Sequence, residues 1–209
     1  MKLVVFDLNG TLVDDSAIVW GGVLEIFRHY EKKPPTQEEY HREFERNSSG
    51  YKEIYASLYA SRGITAPIHD IEKIFFSHYT DAMHAIEPSV GAKRVLEKLL
   101  ERNLKLHLLT MTPSNLGIPL LQKFDMLDYF HWTEFRSFNK AKELKKFMKA
   151  AHACPHETCM IGDAPSDMRA AKVAGVISIA YLNSFWPEKI MLAEKPRYAI
   201  NRLEELLTL

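Results

Sequence analysis

Cysteine is scarce in this chain: Cys154 and Cys159 are the only two in 209 residues. Two thiols are too few for a disulfide framework or a four-ligand zinc site. The nine histidines form no HxH or HExxH arrangement, which also argues against zinc. An excess of one charge is missing as well. The 27 Lys+Arg and 27 Asp+Glu cancel to zero, so there is no basic surplus to track a nucleic-acid backbone and no acidic solvating tail. Long apolar runs are absent too. The nearest, Ala174 to Leu182, carries Ser178 and is far short of a membrane span. The opening apolar stretch, Leu3–Phe6, is four residues, too short for a signal-peptide core. Internal repeats and low-complexity tracts are lacking. The expectation is a reduced, soluble, cytoplasmic protein with neither a nucleic-acid nor a membrane partner.

What is present is alternation. Short apolar runs occur at Leu3–Phe6, Leu104–Thr110, Thr158–Asp163, Val176–Leu182 and, weakly, Tyr198–Ile200. Each is short and bounded by polar residues or glycine, as buried strands of a parallel sheet are. Helical stripes fill the gaps: Val95, Leu96, Leu99 and Leu100; Leu144, Phe147 and Met148; then Met168, Ala171 and Val173, ahead of Gly175 as a C-cap. Strands alternating with helices at this spacing predict right-handed βαβ units.

The stretch 13–87 breaks the alternation. It shows no good strand but several amphipathic stripes, led by Ile18, Val19, Val23, Ile26 and Phe27, then Tyr51, Ile54, Tyr55 and Leu58, then Ile71, Ile74, Phe75 and Tyr79. It also holds 11 of the 23 aromatics, enough for a small core of its own. The predicted fold class is therefore α/β: a Rossmann-like parallel-sheet core, residues 1–13 and 88–209, with an inserted all-helical subdomain, residues 14–87.

Ligands of open α/β sheets bind at the carboxyl ends of strands. After the first strand comes Asp7-Leu8-Asn9-Gly10-Thr11, after the second Thr110-Met111-Thr112, and after a later one Gly162-Asp163-Ala164-Pro165-Ser166-Asp167. If these strands are neighbours, Asp7, Thr110 and Asp163 meet at one rim. Two carboxylates there repel unless neutralised, and Mg²⁺ suits one or two carboxylates plus a phosphate. Gly10 and Gly162 let backbone approach a ligand closely.

The set Asp7-x-Asn9-Gly10-Thr11, Thr110, Lys140 and Gly162-Asp163-x-x-x-Asp167 resembles the four motifs of the haloacid dehalogenase-like superfamily. The return Glu87–Lys98, the close Lys195–Ile200, and the 23-residue spacing from Lys140 to Asp163 are similar to the family's pattern as well. The resemblance, closest to phosphoglycolate-phosphatase-like members with a helical cap, implies a Mg²⁺-dependent hydrolase of a small phosphorylated metabolite. Asp7 would be the nucleophile that forms an aspartyl-phosphate. Asp7, the Asn9 main-chain carbonyl and Asp163 would hold the metal. Thr110 and Lys140 would hold phosphate oxygens, with Gly10, Met111 and the Leu8 N–H lining the phosphate, and Asp167 would orient Lys140 or a metal-bound water. Lys142 competes with Lys140, because Asn139-Lys140-Ala141-Lys142 offers both.

One position departs from the pattern. The family's phosphatases usually carry an aspartate two residues after the nucleophile, as acid and then base; here it is Asn9. An amide cannot exchange a proton in that way, and such help is worth roughly 10²–10⁴-fold. Asn9 thus leaves several readings open: a slow phosphatase or one suited to good leaving groups, a chain that binds phosphoesters in a regulatory role without turnover, a substitution introduced to trap a complex, or deamidation at Asn9-Gly10. A 2-haloacid dehalogenase is a third function, disfavoured by Asn9 and by the metal-type Asp163/Asp167 pair. Substrate choice is expected in the helical insert, at the loop Arg46–Lys52, with Asp14 as hinge.

Overall fold

The computed structural model describes residues 1–46, 51–182 and 185–209. In chain order the elements are β1 (Leu3–Phe6), β2 (Val13–Asp14), α1 (Ser16–His29), α2 (Gln37–Arg46), α3 (Tyr51–Ala60), α4 (Ile68–Ala82), β3 (Glu87–Pro88), α5 (Ala92–Glu101), β4 (Lys105–Leu109), α6 (Ser114–Lys123), β5 (Trp132–Glu134), α7 (Lys140–Ala151), β6 (Thr158–Gly162), α8 (Pro165–Ala174), β7 (Ile177–Tyr181), α9 (Glu188–Ala193) and β8 (Tyr198–Ile200). The chain divides into two compact units, 1–14 with 87–209, and 15–86.

The first unit is a parallel sheet in the order β5-β4-β1-β6-β7-β8. Strand β1 lies at its middle because it is apolar on both faces: all four residues are buried. From β1 the chain runs outward one way through β4 and β5, then the other way through β6, β7 and β8. The reversal places the carboxyl ends of β4 and β6 on either side of that of β1, at a switch point of the kind where α/β proteins hold ligands. Leu3 and Val5 of β1 pack with Leu144, Phe147 and Met148 of α7 and with Ala171 of α8. Gly175 ends α8 in the left-handed conformation (φ 75°), the C-cap expected from its position.

Several elements carried no readable signal. Strand β5 has only three residues, none fully buried, and so no apolar run. Helix α6 contains Pro119, whose missing N–H blurs a helical reading. Strands β2 and β3 are two-residue pieces that pair antiparallel at the two junctions with the insert, Val13 with Pro88 and Asp14 with Glu87.

The second unit, 15–86, is helical among the described residues. Gly21 and Gly22 of α1 lie against His78 and Phe75 of α4, where an added Cβ would come within 2.6 and 2.7 Å of those rings. Absence of side chains there is what lets the two helices approach closely. Tyr55 stacks on Tyr59, and Phe27 tilts against Tyr59. Tyr79 donates to Asp15 Oδ2 at 2.8 Å, with both side chains buried. Residues 47–50, the heart of the loop expected to choose substrate, lie outside the described residues.

His107 on β4 gives a stability prediction. Its ring is buried edge-on to Phe147, centroids 4.7 Å apart, and its Nδ1 has no hydrogen-bond partner. Burial, then the charges of His131 and Lys105, push its pKa down to about 4. Unfolded, the ring would titrate near ~6.5. Below that pH the unfolded chain takes up a proton that the folded one refuses. Stability is therefore complete above pH ~6.5 and drains as pH falls toward 4, by up to about 3 kcal/mol. His107→Leu is expected to flatten that acid limb, read from urea midpoints at pH 7 and pH 4.5; an unchanged limb would remove His107 as its cause.

Candidate active site

Three strand ends supply the site. Asp7 follows β1, Thr110 follows β4, and Asp163 follows β6; all three are buried, at 7%, 1% and 5% exposure. Asp7 N bonds to Ile161 O at 2.9 Å, extending the β1–β6 ladder to the rim. The chain then turns back, with the N–H groups of Thr11, Leu12 and Val13 all donating to Leu8 O. Gly10 makes this turn (φ 68°), and a Cβ there would stand 2.2 Å from Asp163 Oδ2. Only glycine fits between the turn and the second carboxylate. Thr11 donates from Oγ1 to Asp163 Oδ1 at 3.1 Å.

The remaining groups come from helix starts. Asn139 caps α7 by accepting from Lys142 N at 3.1 Å, and Lys140 is the first helical residue. Its Nζ lies 2.9 Å from Asp7 Oδ2 and 2.6 Å from Asp167 Oδ1, and the side chain is buried. Lys142 is exposed. Asp167 does two things at once: it holds Lys140 and accepts the Ala164 N–H at 3.2 Å at the start of α8. Against Gly162 a Cβ would stand 2.3 Å from Asp167 Oδ2, so a second glycine gives a second carboxylate its room.

The electrostatics follow from this crowding. Ligand oxygens of Asp7, Asp163 and Asp167 all lie within 4.8 Å of one another. Burial alone would lower the Lys140 pKa, but the charges of Asp167 and Asp7 outweigh it and hold the ammonium above the ordinary lysine value. Burial pushes the Asp167 carboxyl up, against the pull of Lys140. Three buried carboxylates thus share one place with the Lys140 ammonium. An all-oxygen donor set of that charge fits a hard divalent cation.

Asn9 faces the β4 side. Its Oδ1 accepts from Thr112 Oγ1 and, at 3.5 Å, from Thr110 Oγ1, while Thr112 N donates to Thr110 Oγ1 at 3.1 Å. Thr112 is a site residue that sequence reasoning passes over; its signal was a second hydroxyl two residues beyond Thr110. Met111 is half-buried beside them. The Leu8 N–H, expected to face phosphate, donates to Asp7 Oδ1 at 2.8 Å.

With that geometry in place, comparison with known proteins is informative. The model of the haloacid dehalogenase-like hydrolase family matches residues 4–181. A phosphoglycolate phosphatase of Pseudomonas fluorescens is 27% identical over 218 aligned positions, 99% of this chain and 78% of that protein. A second, from Pseudomonas aeruginosa, is 27% identical over 99% of this chain and 78% of its own length. Among solved structures, a haloacid dehalogenase-like hydrolase of Streptococcus pneumoniae superposes with a TM-score of 0.78 at 19% identity, covering 100% of this chain and 97% of that one. That likeness speaks for the Rossmann-like fold with its helical insert. The chain belongs to the haloacid dehalogenase-like hydrolase family, as an enzyme of the phosphatase type.

Proposed function

We propose that this protein is a Mg²⁺-dependent hydrolase of a small phosphomonoester, working through an aspartyl-phosphate on Asp7. The observation that carries this reading is the buried ammonium of Lys140, 2.9 Å from Asp7 and 2.6 Å from Asp167, beside three mutually close carboxylates. A carboxylate can serve as a covalent nucleophile. Its obstacle is repulsion from an anionic phosphate. Lys140 offsets that repulsion, and with Thr110 it is placed to hold phosphoryl oxygens as charge shifts in the transition state. Asp167 keeps Lys140 charged and aimed. Asp7, Asp163 and the Asn9 carbonyl would hold Mg²⁺, which when bound neutralises phosphate charge as a Lewis acid.

Phosphoglycolate phosphatase relatives support a small phosphorylated metabolite as substrate, with the helical insert selecting it. Asn9 supplies no titratable proton, so turnover is expected to be slow. The same residue favours a second reading, a chain that binds phosphoesters with little turnover.

The test is phosphate release from a panel of small phosphoesters with Mg²⁺, with and without EDTA. Activity that requires the metal supports the proposal; EDTA-resistant activity, or none, counts against it. A readout independent of turnover goes with it. Mg²⁺ at about 100 times its Kd is expected to add about 2.7 kcal/mol. For a chain of this size that raises the melting temperature by roughly 5–10 °C. Asp163→Asn is expected to remove most of the shift.

A further inference from the structure

The rim is asymmetric in what it can do with protons. On the β6 side stand Asp163, Asp167 and Lys140, already engaged with one another or with Asp7, Thr11 and the Ala164 N–H. On the β4 side stand two alcohols and an amide, Thr110, Thr112 and Asn9. None of these three titrates near neutral pH. Both hydroxyl contacts fall on the same atom, Asn9 Oδ1. The side chain is thereby oriented as an acceptor on that side, and its amide group can only offer a hydrogen bond, not transfer a proton.

Phosphoryl transfer to Asp7 forms a P–Oδ bond and breaks the bond from phosphorus to the leaving oxygen, which takes the electron pair. An alkyl ester then releases an alkoxide, whose conjugate acid has a pKa of roughly that of water, about 15.7. That departure needs a proton in the transition state. A carboxylate leaving group, with a conjugate-acid pKa of about 4, or a phosphate, about 6, needs none. Hydrolysis follows when water attacks phosphorus and returns the electron pair to the Asp7 carboxylate, the water proton passing to solvent or to the released phosphate. This second step is the same for every substrate, and Asn9 supplies no base for it.

We propose that the site is selective for acyl phosphates and phosphoanhydrides over alkyl phosphomonoesters, because Asn9, fixed by Thr110 and Thr112, cannot give the departing oxygen a proton. This rests on the phosphohydrolase reading, with Asp7 as nucleophile, and shifts its preferred substrates from phosphomonoesters to phosphoric anhydrides. It carries a kinetic consequence. With good leaving groups Asp7 is phosphorylated quickly and freed slowly, so the phosphoenzyme accumulates.

The experiment is a leaving-group series with Mg²⁺: acetyl phosphate, pyrophosphate, p-nitrophenyl phosphate, phenyl phosphate, 2-phosphoglycolate and glycerol phosphate. kcat/KM is measured for the native chain and for Asn9→Asp, with Asp7→Asn as the blank for spontaneous hydrolysis. In the native chain kcat/KM is expected to fall steeply as the leaving-group pKa rises. p-Nitrophenyl phosphate should give a burst of about one equivalent of nitrophenol. Asn9→Asp is expected to raise kcat/KM for the alkyl esters by about 10²–10⁴-fold and for acetyl phosphate by less than about tenfold. A flat series in the native chain, whatever the variant does, overturns the selectivity and leaves the phosphohydrolase reading intact. No release from any substrate by either protein removes the phosphohydrolase reading itself, and the selectivity with it.

Discussion

Lys140→Ala is expected to cost the protein both its catalysis and much of its stability. The ammonium lies between Asp7 and Asp167 at hydrogen-bond distance from both. Its removal leaves two buried carboxylates facing each other and Asp163 within 4.8 Å. Breaking a buried ion pair from one side costs about 3–5 kcal/mol, far more than the intact pair contributes over an apolar substitute. For a chain of this length the melting temperature should fall by roughly 6–20 °C. On the proposed role of Lys140 in holding phosphate oxygens, its loss should lower kcat by about 10²–10³-fold. Lys142→Ala is the control. That side chain is exposed at the same helix start, and its loss should stay within about 0.5 kcal/mol with activity unchanged. If Lys142→Ala silenced the enzyme and Lys140→Ala did not, the phosphate-binding role would pass to Lys142.

Asp7→Asn is expected to do the opposite to stability while abolishing turnover. The amide keeps an oxygen for the Leu8 N–H, which donates to Oδ1 in the native chain. It removes one of three crowded negative charges, and Lys140 retains Asp167. The melting temperature in EDTA should hold or rise. With Asp7 as the proposed nucleophile, phosphate release should drop on the order of 10⁴-fold or more. More than a tenth of native activity in the variant would show that another group attacks phosphorus. A collapse in melting temperature would show that Asp7 is needed for folding rather than for chemistry.

The residues that carry these effects differ in how openly the sequence displayed them. Asp7, Thr110 and Asp163 were readable because each follows an apolar run, and a strand's carboxyl end is where a parallel sheet puts its polar residues. Asp167 was read as orienting Lys140 or a metal-bound water, and the structure has it both on Lys140 and on the Ala164 N–H at the start of α8. Lys140 could not be separated from Lys142 by chemistry, since two lysines share one helix start. Helical rotation separates them, burying the first and exposing the second. Thr112 stayed unseen because a threonine beyond a strand is ordinary until its hydroxyl is found on Asn9. Strand β5 stayed unseen because an edge strand of three partly exposed residues carries no hydrophobic period.

Local chemistry and spacing by themselves determined the α/β alternation, the helical insert and the two glycines beside the carboxylates, because each depends on residues near in the chain. Strand order could not be settled that way. Which strands flank β1 depends on how far-separated apolar faces pack, and that order brings the strand ends carrying Asp7, Thr110 and Asp163 side by side. The amide orientation of Asn9 is likewise a tertiary fact, fixed by hydroxyls more than a hundred positions away.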